Sequence, residues 1–203
     1  MTASMGKKGD SVEVLVGLLA FQGAFSAHGR MLQALGVPVA EVRTRDDLSR
    51  CTHLVLPGGE STAFLKLLEY HDLTDALKDH AKAGKPILAT CAGLILLARE
   101  AENPRQKSLG LIDVRIERNG YGRQIDSFEA DLNIPILGSK PFHGVFIRSP
   151  IIRSTGNEVE TLATFEGNPV FVREGNIFGT TFHPELSEDT RLHELFFFGL
   201  IAK

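Results

Sequence analysis

Apolar positions along the first half of the chain fall into short blocks that alternate between two periods. Residues 14–20 are almost continuously apolar, the pattern of a strand covered on both faces. Across 27–35, Met31, Leu32 and Leu35 recur at helical spacing, and Gly36 supplies the left-handed stop that ends such a helix. Further strands are predicted over 37–42 and 53–56. Ser61 is placed to cap a helix running to Tyr70, with Phe64, Leu65, Leu67 and Leu68 on its buried face. A helix over 73–83 stops at Gly84, a strand covers 86–90, and a strongly apolar helix is predicted over 92–101. This rhythm predicts a three-layer α/β sandwich, a mostly parallel central sheet with helices on both faces.

The second half changes character. Segments 111–118, 145–148, 162–165, 170–173 and 177–182 are short, β-rich and separated by Gly, Pro or Asn, which predicts the far part of the sheet plus antiparallel additions. Residues 187–203 are predicted to close the chain as a helix, with Glu188 and Asp189 at its N-terminus and Leu192, Leu195, Phe196 and Leu200 facing inward. Lys7 and Lys8 ahead of an apolar run imitate a secretory leader. Asp10 and Glu13 interrupt that pattern, so the run reads as a first strand. Residues 1–12 are expected to be a disordered polar tail and 13–203 a single domain without repeats or linkers.

Composition narrows the functional classes. A chain of 203 residues suits one domain and leaves little room for a separate cofactor domain. With 22 basic against 25 acidic side chains and no basic run, there is no footprint for nucleic acid. An apolar fraction of 43% with 23% charge describes an ordinary globule, with no membrane association expected. Two cysteines, Cys51 and Cys91, and no C-x-x-C pair exclude a disulfide framework, a zinc site or a redox bridge, and fit a cytoplasmic protein. No metal and no cofactor is expected.

Three local features carry candidate chemistry. Ala89-Thr90-Cys91-Ala92-Gly93 joins a buried strand to an apolar helix, with neighbours small enough for a tight turn that lifts a nucleophile out of the sheet. The helix aims its N–H groups and positive dipole end at the sulfur, favouring a thiolate and an oxyanion. A free cysteine in such a segment is equally compatible with core filling. Phe182-His183-Pro184-Glu185 places a histidine and a carboxylate at i and i+2, where an extended backbone points both the same way. Glu185 then fixes the tautomer of His183, leaving the other ring nitrogen for Cys91. Leu56-Pro57-Gly58-Gly59-Glu60-Ser61-Thr62 offers two glycines before a helix N-terminus, either a ligand cradle or a plain capped turn. All three lie at carboxyl ends of predicted strands, where open α/β sheets bind ligands. Arg118 and Arg148 add fork-shaped partners for a small carboxylate, although the polar stretch 117–129 also reads as a solvated loop. Cys51 reads as core, and His28, His71, His80, His143 and His193 fall in unconnected contexts with no catalytic role assigned.

Together these segments resemble the class I, triad-type glutamine amidotransferases, and within them the glutaminase subunits of pyridoxal 5′-phosphate synthases. The resemblance is carried by residues 17–23, the Pro-Gly-Gly-Glu-Ser-Thr loop, Thr90-Cys91-Ala92-Gly93-Leu94, residues 117–131, Phe146-Ile147-Arg148 and Phe182-His183-Pro184-Glu185-Leu186. It implies Cys91 as nucleophile, His183 as general base and acid, and Glu185 as its orienter. It implies glutamine held by Gly59, Glu60, Ser61, Arg118, Ile147 and Arg148, with the oxyanion against backbone N–H groups of Ala92 and the Gly58-Gly59 turn. Ammonia would pass to a barrel-shaped synthase subunit in a large hetero-oligomer. Ala89 departs from the wider class, which has glycine there; a methyl group is tolerated if its φ stays negative. The competing readings are a stand-alone cysteine peptidase or thiol redox protein of similar fold, which leaves the Gly-rich loop unexplained, and a non-catalytic regulatory partner.

Overall fold

The structure, a computed structural model, describes residues 14–118, 120 and 127–199. The predicted tail, the 121–126 part of the polar stretch and Leu200 lie outside the described residues.

Strands β1 (Val16–Leu19), β2 (Val39–Val42), β3 (His53–Leu56), β4 (Ile87–Thr90) and β12 (Ile177–Thr180) run parallel, in the spatial order β12-β4-β3-β1-β2. Strands β11 (Asn168–Glu174) and β10 (Glu160–Phe165) extend the β12 edge antiparallel, giving seven strands. A three-stranded sheet of β5 (Ala98–Glu102), β6 (Ile112–Glu117) and β9 (Ile151–Thr155) and a ribbon of β7 (Ser127–Leu132) and β8 (Phe142–Ile147) complete it.

The apolar strands are buried on both faces because successive side chains alternate across the sheet. Leu54 and Leu56 of β3 enter one core cluster and Val55 the other, and Ile87 and Ala89 of β4 divide from Leu88 in the same way. One face is covered by α3 (Ser61–Tyr70), α4 (Thr74–Lys82), α5 (Ala92–Leu97) and the three-stranded sheet. The other is covered by α1 (Phe25–Ala34), α6 (Arg191–Phe198) and the β7–β8 ribbon. The short α2 (Arg45–Ser49) starts on a capping box in which Thr44 and Asp47 satisfy each other's backbone N–H groups.

Three details differ from the sequence reading. The helix expected over 92–101 ends at Leu97, and the chain turns extended at Ala98 to become β5. Beyond Ala98 the residues Arg99-Glu100-Ala101-Glu102 offer no apolar stripe. Pairing with β6 instead brings Arg115 within 2.8 Å of Glu102 and 3.7 Å of Glu100. Helix α3 is capped by Glu60, whose carboxylate accepts from the N–H groups of Thr62 (3.1 Å) and Ala63 (2.7 Å), and Ser61 is its first residue. The closing helix begins at Arg191, after a 3₁₀ turn at Pro184–Leu186.

Candidate active site

The carboxyl ends of three adjacent strands converge. The central strand, β4, ends at Thr90 and delivers Cys91. The neighbour on one side, β12, leads through Phe182 to His183. The neighbour on the other, β3, leads into Pro57-Gly58-Gly59-Glu60. Cys91 takes φ +48° and ψ −103°, a conformation that side chains rarely adopt. It is held there from both sides: its N–H donates to Thr180 O (2.8 Å), and its carbonyl accepts from Ile95 N–H (3.1 Å). Ala89 stays off the positive-φ residues. Gly93 makes the turn sterically feasible, since a Cβ there would fall 2.2 Å from the Leu56 carbonyl oxygen.

His183 is fixed by its backbone, its neighbours and its partner. Its N–H donates to Val145 O on β8 (2.8 Å), while Phe182 packs against Phe142 and Phe146 of the same strand. Gly58 lies flat on the imidazole, where a Cβ would meet Cε1 at 2.2 Å. Nδ1 lies 2.8 Å from Glu185 Oε1, both side chains being buried. The 3₁₀ turn, rather than an extended backbone, folds the carboxylate back to the ring. Burial works against a charge on His183, but hydrogen bonds to Cys91 and Glu185 outweigh it and push its pKa up to about 10. Burial pushes the Glu185 carboxyl up, yet the His28 and His183 rings overcome this and hold it below the usual carboxylate range. The ring is therefore an imidazolium at neutral pH.

A cavity of about 190 Å³ is lined by Gly59, Glu60, Ser61, Cys91, Ile95, Arg118, Ile147, Arg148 and His183. All six residues predicted to hold a substrate line it, and only Ile95 was not anticipated. Polar side chains that line the cavity are held by their neighbours. Ser61 Oγ donates to the buried Gln106 Oε1 (2.8 Å), and Arg118 Nη1 donates to Pro104 O (3.3 Å) with Nη2 3.8 Å from Glu60 Oε1. Arg148 has φ +43°, and the Ile147 carbonyl lies 4.0 Å from Cys91 Sγ. The Gly58 carbonyl accepts from Ala24 N–H (3.2 Å), so the trans peptide points the Gly59 N–H the opposite way. Ala92 opens α5, where helix geometry leaves N–H groups without an internal partner. Cys51 is core, packed where a Cβ on Gly17 would sit 2.8 Å from its Sγ, and burial pushes its thiol pKa up.

Residues 18–201 match the model of the SNO glutamine amidotransferase family. The chain belongs to the SNO glutamine amidotransferase family. Among SNO relatives, a protein of Kosmotoga olearia named pyridoxal 5′-phosphate synthase subunit PdxT is 46% identical, covering 93% of this chain and 98% of its own. A protein of the same name from Herpetosiphon aurantiacus is 50% identical over 89% of this chain and 97% of its own. A solved structure described as a glutamine amidotransferase superposes with a TM-score of 0.84 at 44% identity, covering 89% of this chain and 96% of that one. The PurLQS structure from Thermotoga maritima shares the fold at a TM-score of 0.68 and 19% identity, covering 93% of this chain and 99% of that one.

Two histidines that the sequence left unassigned stand behind the site. His28 and His193 are completely buried, with Nδ1 and Nε2 respectively 2.9 Å apart, and His28 Nε2 lies 3.2 Å from Glu185 Oε2. They come from helices near opposite ends of the chain, and no spacing in the sequence links them.

Proposed function

We propose that this protein is the glutaminase subunit of a pyridoxal 5′-phosphate synthase, hydrolysing L-glutamine to L-glutamate and ammonia. The observation that carries the reading is the meeting of Cys91, a His183–Glu185 pair 2.8 Å apart and a small polar cavity at adjacent strand ends. Membership of the SNO family and relatives named as synthase subunits support the pathway assignment.

The chemistry follows from the residues. The Cys91 thiolate attacks the side-chain amide carbon of glutamine, and the tetrahedral oxyanion forms against the N–H groups of Ala92 and the Gly58-Gly59 turn. Imidazolium His183 gives its proton to the departing nitrogen, which leaves as ammonia, and a thioester remains. Neutral His183 then takes a proton from water, whose oxygen attacks the thioester, and glutamate leaves as the thiolate–imidazolium pair is restored. Glu185 holds the ring in place and stabilises its charge. The α-carboxylate and amino group of the substrate fall to Arg118, Arg148, Ile147 and the Gly59-Glu60-Ser61 segment. Glu60 also caps α3, so its carboxylate serves helix and cavity together.

Ammonia passes to a barrel-shaped synthase subunit within a hetero-oligomer, in the cytoplasm. Both cysteines are free, as a reducing compartment requires, and among the described residues no helix is long and apolar enough to cross a membrane. The test is glutamate release from glutamine by wild type and Cys91→Ala, alone and with the synthase subunit. Release that needs Cys91, and falls by about 10⁴-fold or more without it, is expected. Cys91-independent release, or none with the partner present, would overturn the reading.

A further inference from the structure

The buried pair His28 and His193 takes no part in the chemistry above, yet it abuts the one triad oxygen that His183 does not use. Glu185 Oε1 lies 2.8 Å from His183 Nδ1, whereas Oε2 is buried and receives no in-line hydrogen bond among the described residues. His28 Nε2, from the first turn of α1, lies 3.2 Å from that oxygen and 3.3 Å from Thr90 Oγ1, the residue before the nucleophile.

The tautomers follow by elimination. An ionised carboxylate only accepts, so a bare Nε2 lone pair at 3.2 Å would be repelled in a site without water. Nε2 of His28 therefore carries the proton, which bonds Thr90 Oγ1 and sits beside Glu185 Oε2. If Nδ1 carried one as well, His193 Nε2 would have to accept, and its proton would sit on Nδ1, which is buried without a partner. An unmet buried donor is the costlier arrangement, so His193 donates from Nε2 to a neutral His28 and leaves an idle lone pair at its own Nδ1. Burial holds both rings neutral, lowering the pKa of His28 and bringing that of His193 to about 3. The charged and titratable groups facing His28 are Glu185 and His183 on the turn after β12, and His193 on α6.

We propose that His28 is a positioning residue of the triad: neutral, its tautomer set by His193, it holds its Nε2–H on Thr90 Oγ1 and close beside the free oxygen of Glu185, and so keeps that carboxylate ionised and aimed at His183. This rests on the triad reading of Cys91, His183 and Glu185. A leucine at position 28 leaves Oε2 with no neighbouring donor, so Glu185 takes up a proton at higher pH and its hold on the imidazolium fails earlier on acidification. A glutamine restores an amide N–H near the Nε2 position.

The test reads Cys91 alkylation by iodoacetamide, followed by peptide mass spectrometry as a function of pH on the full chain, which needs neither glutamine nor a partner. His28→Leu is expected to move the acid-side midpoint of the profile upward by on the order of one pH unit. It should also lower kcat for glutamate release, measured with the synthase subunit present, by on the order of 10-fold with KM little changed, the size typical of losing a supporting shell. His28→Gln is expected to return most of both. His193→Phe, which removes the donor to Nδ1 without touching the triad, should shift the midpoint in the same direction and remains readable if His28→Leu does not fold. A wild-type profile in His28→Leu or His193→Phe, or a His28→Gln variant as impaired as the leucine, would overturn the inference. Wild-type Cys91 alkylated at acid pH no faster than free cysteine would instead remove the triad reading.

Discussion

Cys91 occupies a backbone conformation that its side chain disfavours, and the surrounding hydrogen bonds from Thr180 and Ile95 hold it there. At this scale the sequence was most informative where the signal was local. Small residues flanking Cys91 and a proline between His183 and Glu185 are visible along the chain, and the structure brings all three segments to one place. Glu60 was missed as a cap because serine ranks above glutamate at that position; here the acidic side chain reaches two N–H groups that Ser61, committed to Gln106, does not. His28 and His193 were illegible because their meeting depends on two helices packing on one face of the sheet. Glu185→Gln is expected to lower kcat about 10²–10⁴-fold with KM within a few-fold, since it removes the charge opposite the imidazolium but leaves the cavity intact. Because Glu185 helps raise the His183 pKa, the alkaline limb of the rate profile should also move to lower pH. An unchanged limb would remove Glu185 from that role.

At the scale of elements, the strand–turn–helix unit β4–α5 depends on how closely α5 approaches β3. Gly93→Ala places a methyl group 2.2 Å from Leu56 O and 2.9 Å from Leu56 C, both backbone atoms that cannot swing aside. The helix must lift, costing about 1–3 kcal/mol and displacing the elbow. Gly110→Ala is a useful contrast. It adds its methyl to open space at φ +65°, so only the left-handed backbone is penalised, by about 1–2 kcal/mol. Urea midpoints check both, and Cys91 alkylation should slow in Gly93→Ala alone. The buried parallel strands were legible because their apolar runs are short and bounded. Strands β5, β7 and β9 were not: their alternating polar residues find meaning only in cross-strand partners such as Arg115 with Glu102, or Arg153 with Glu117 at 2.6 Å.

For the whole molecule, five histidines set opposing pH limits. Burial lowers the pKa of His28 and His53, brings His80 to about 4 and His193 to about 3. As pH falls through 6.5 the unfolded chain gains protons that these buried rings refuse, so stability drops with acidification. His80 alone removes about 3 kcal/mol by pH 4. His183 acts in the other window, its contribution complete below 6.5 and lost as pH rises toward about 10. Urea unfolding is expected to show maximal stability near neutral pH, and His80→Leu should flatten the slope between pH 6.5 and 4. An equally steep slope in that variant would refute the assignment. The parallel sheet and its helical layers were legible from alternating periods, and the antiparallel additions from the short β-rich segments of the second half, whereas the pairing of the two small sheets is long-range and periodicity does not encode it.

The strand order β10-β11-β12-β4 has a consequence in time. The ribosome releases β3 and β4, with their loop and thiol, well before β12 and its histidine. Until β12 slots between β4 and β11, the edge of β4 is open and Cys91 has neither the Thr180 carbonyl nor the imidazole beside it. A nascent or truncated chain therefore carries a cysteine with only the reactivity of a free thiol. The sheet's topology makes the last parallel strand the step that brings Cys91, His183 and Glu185 together.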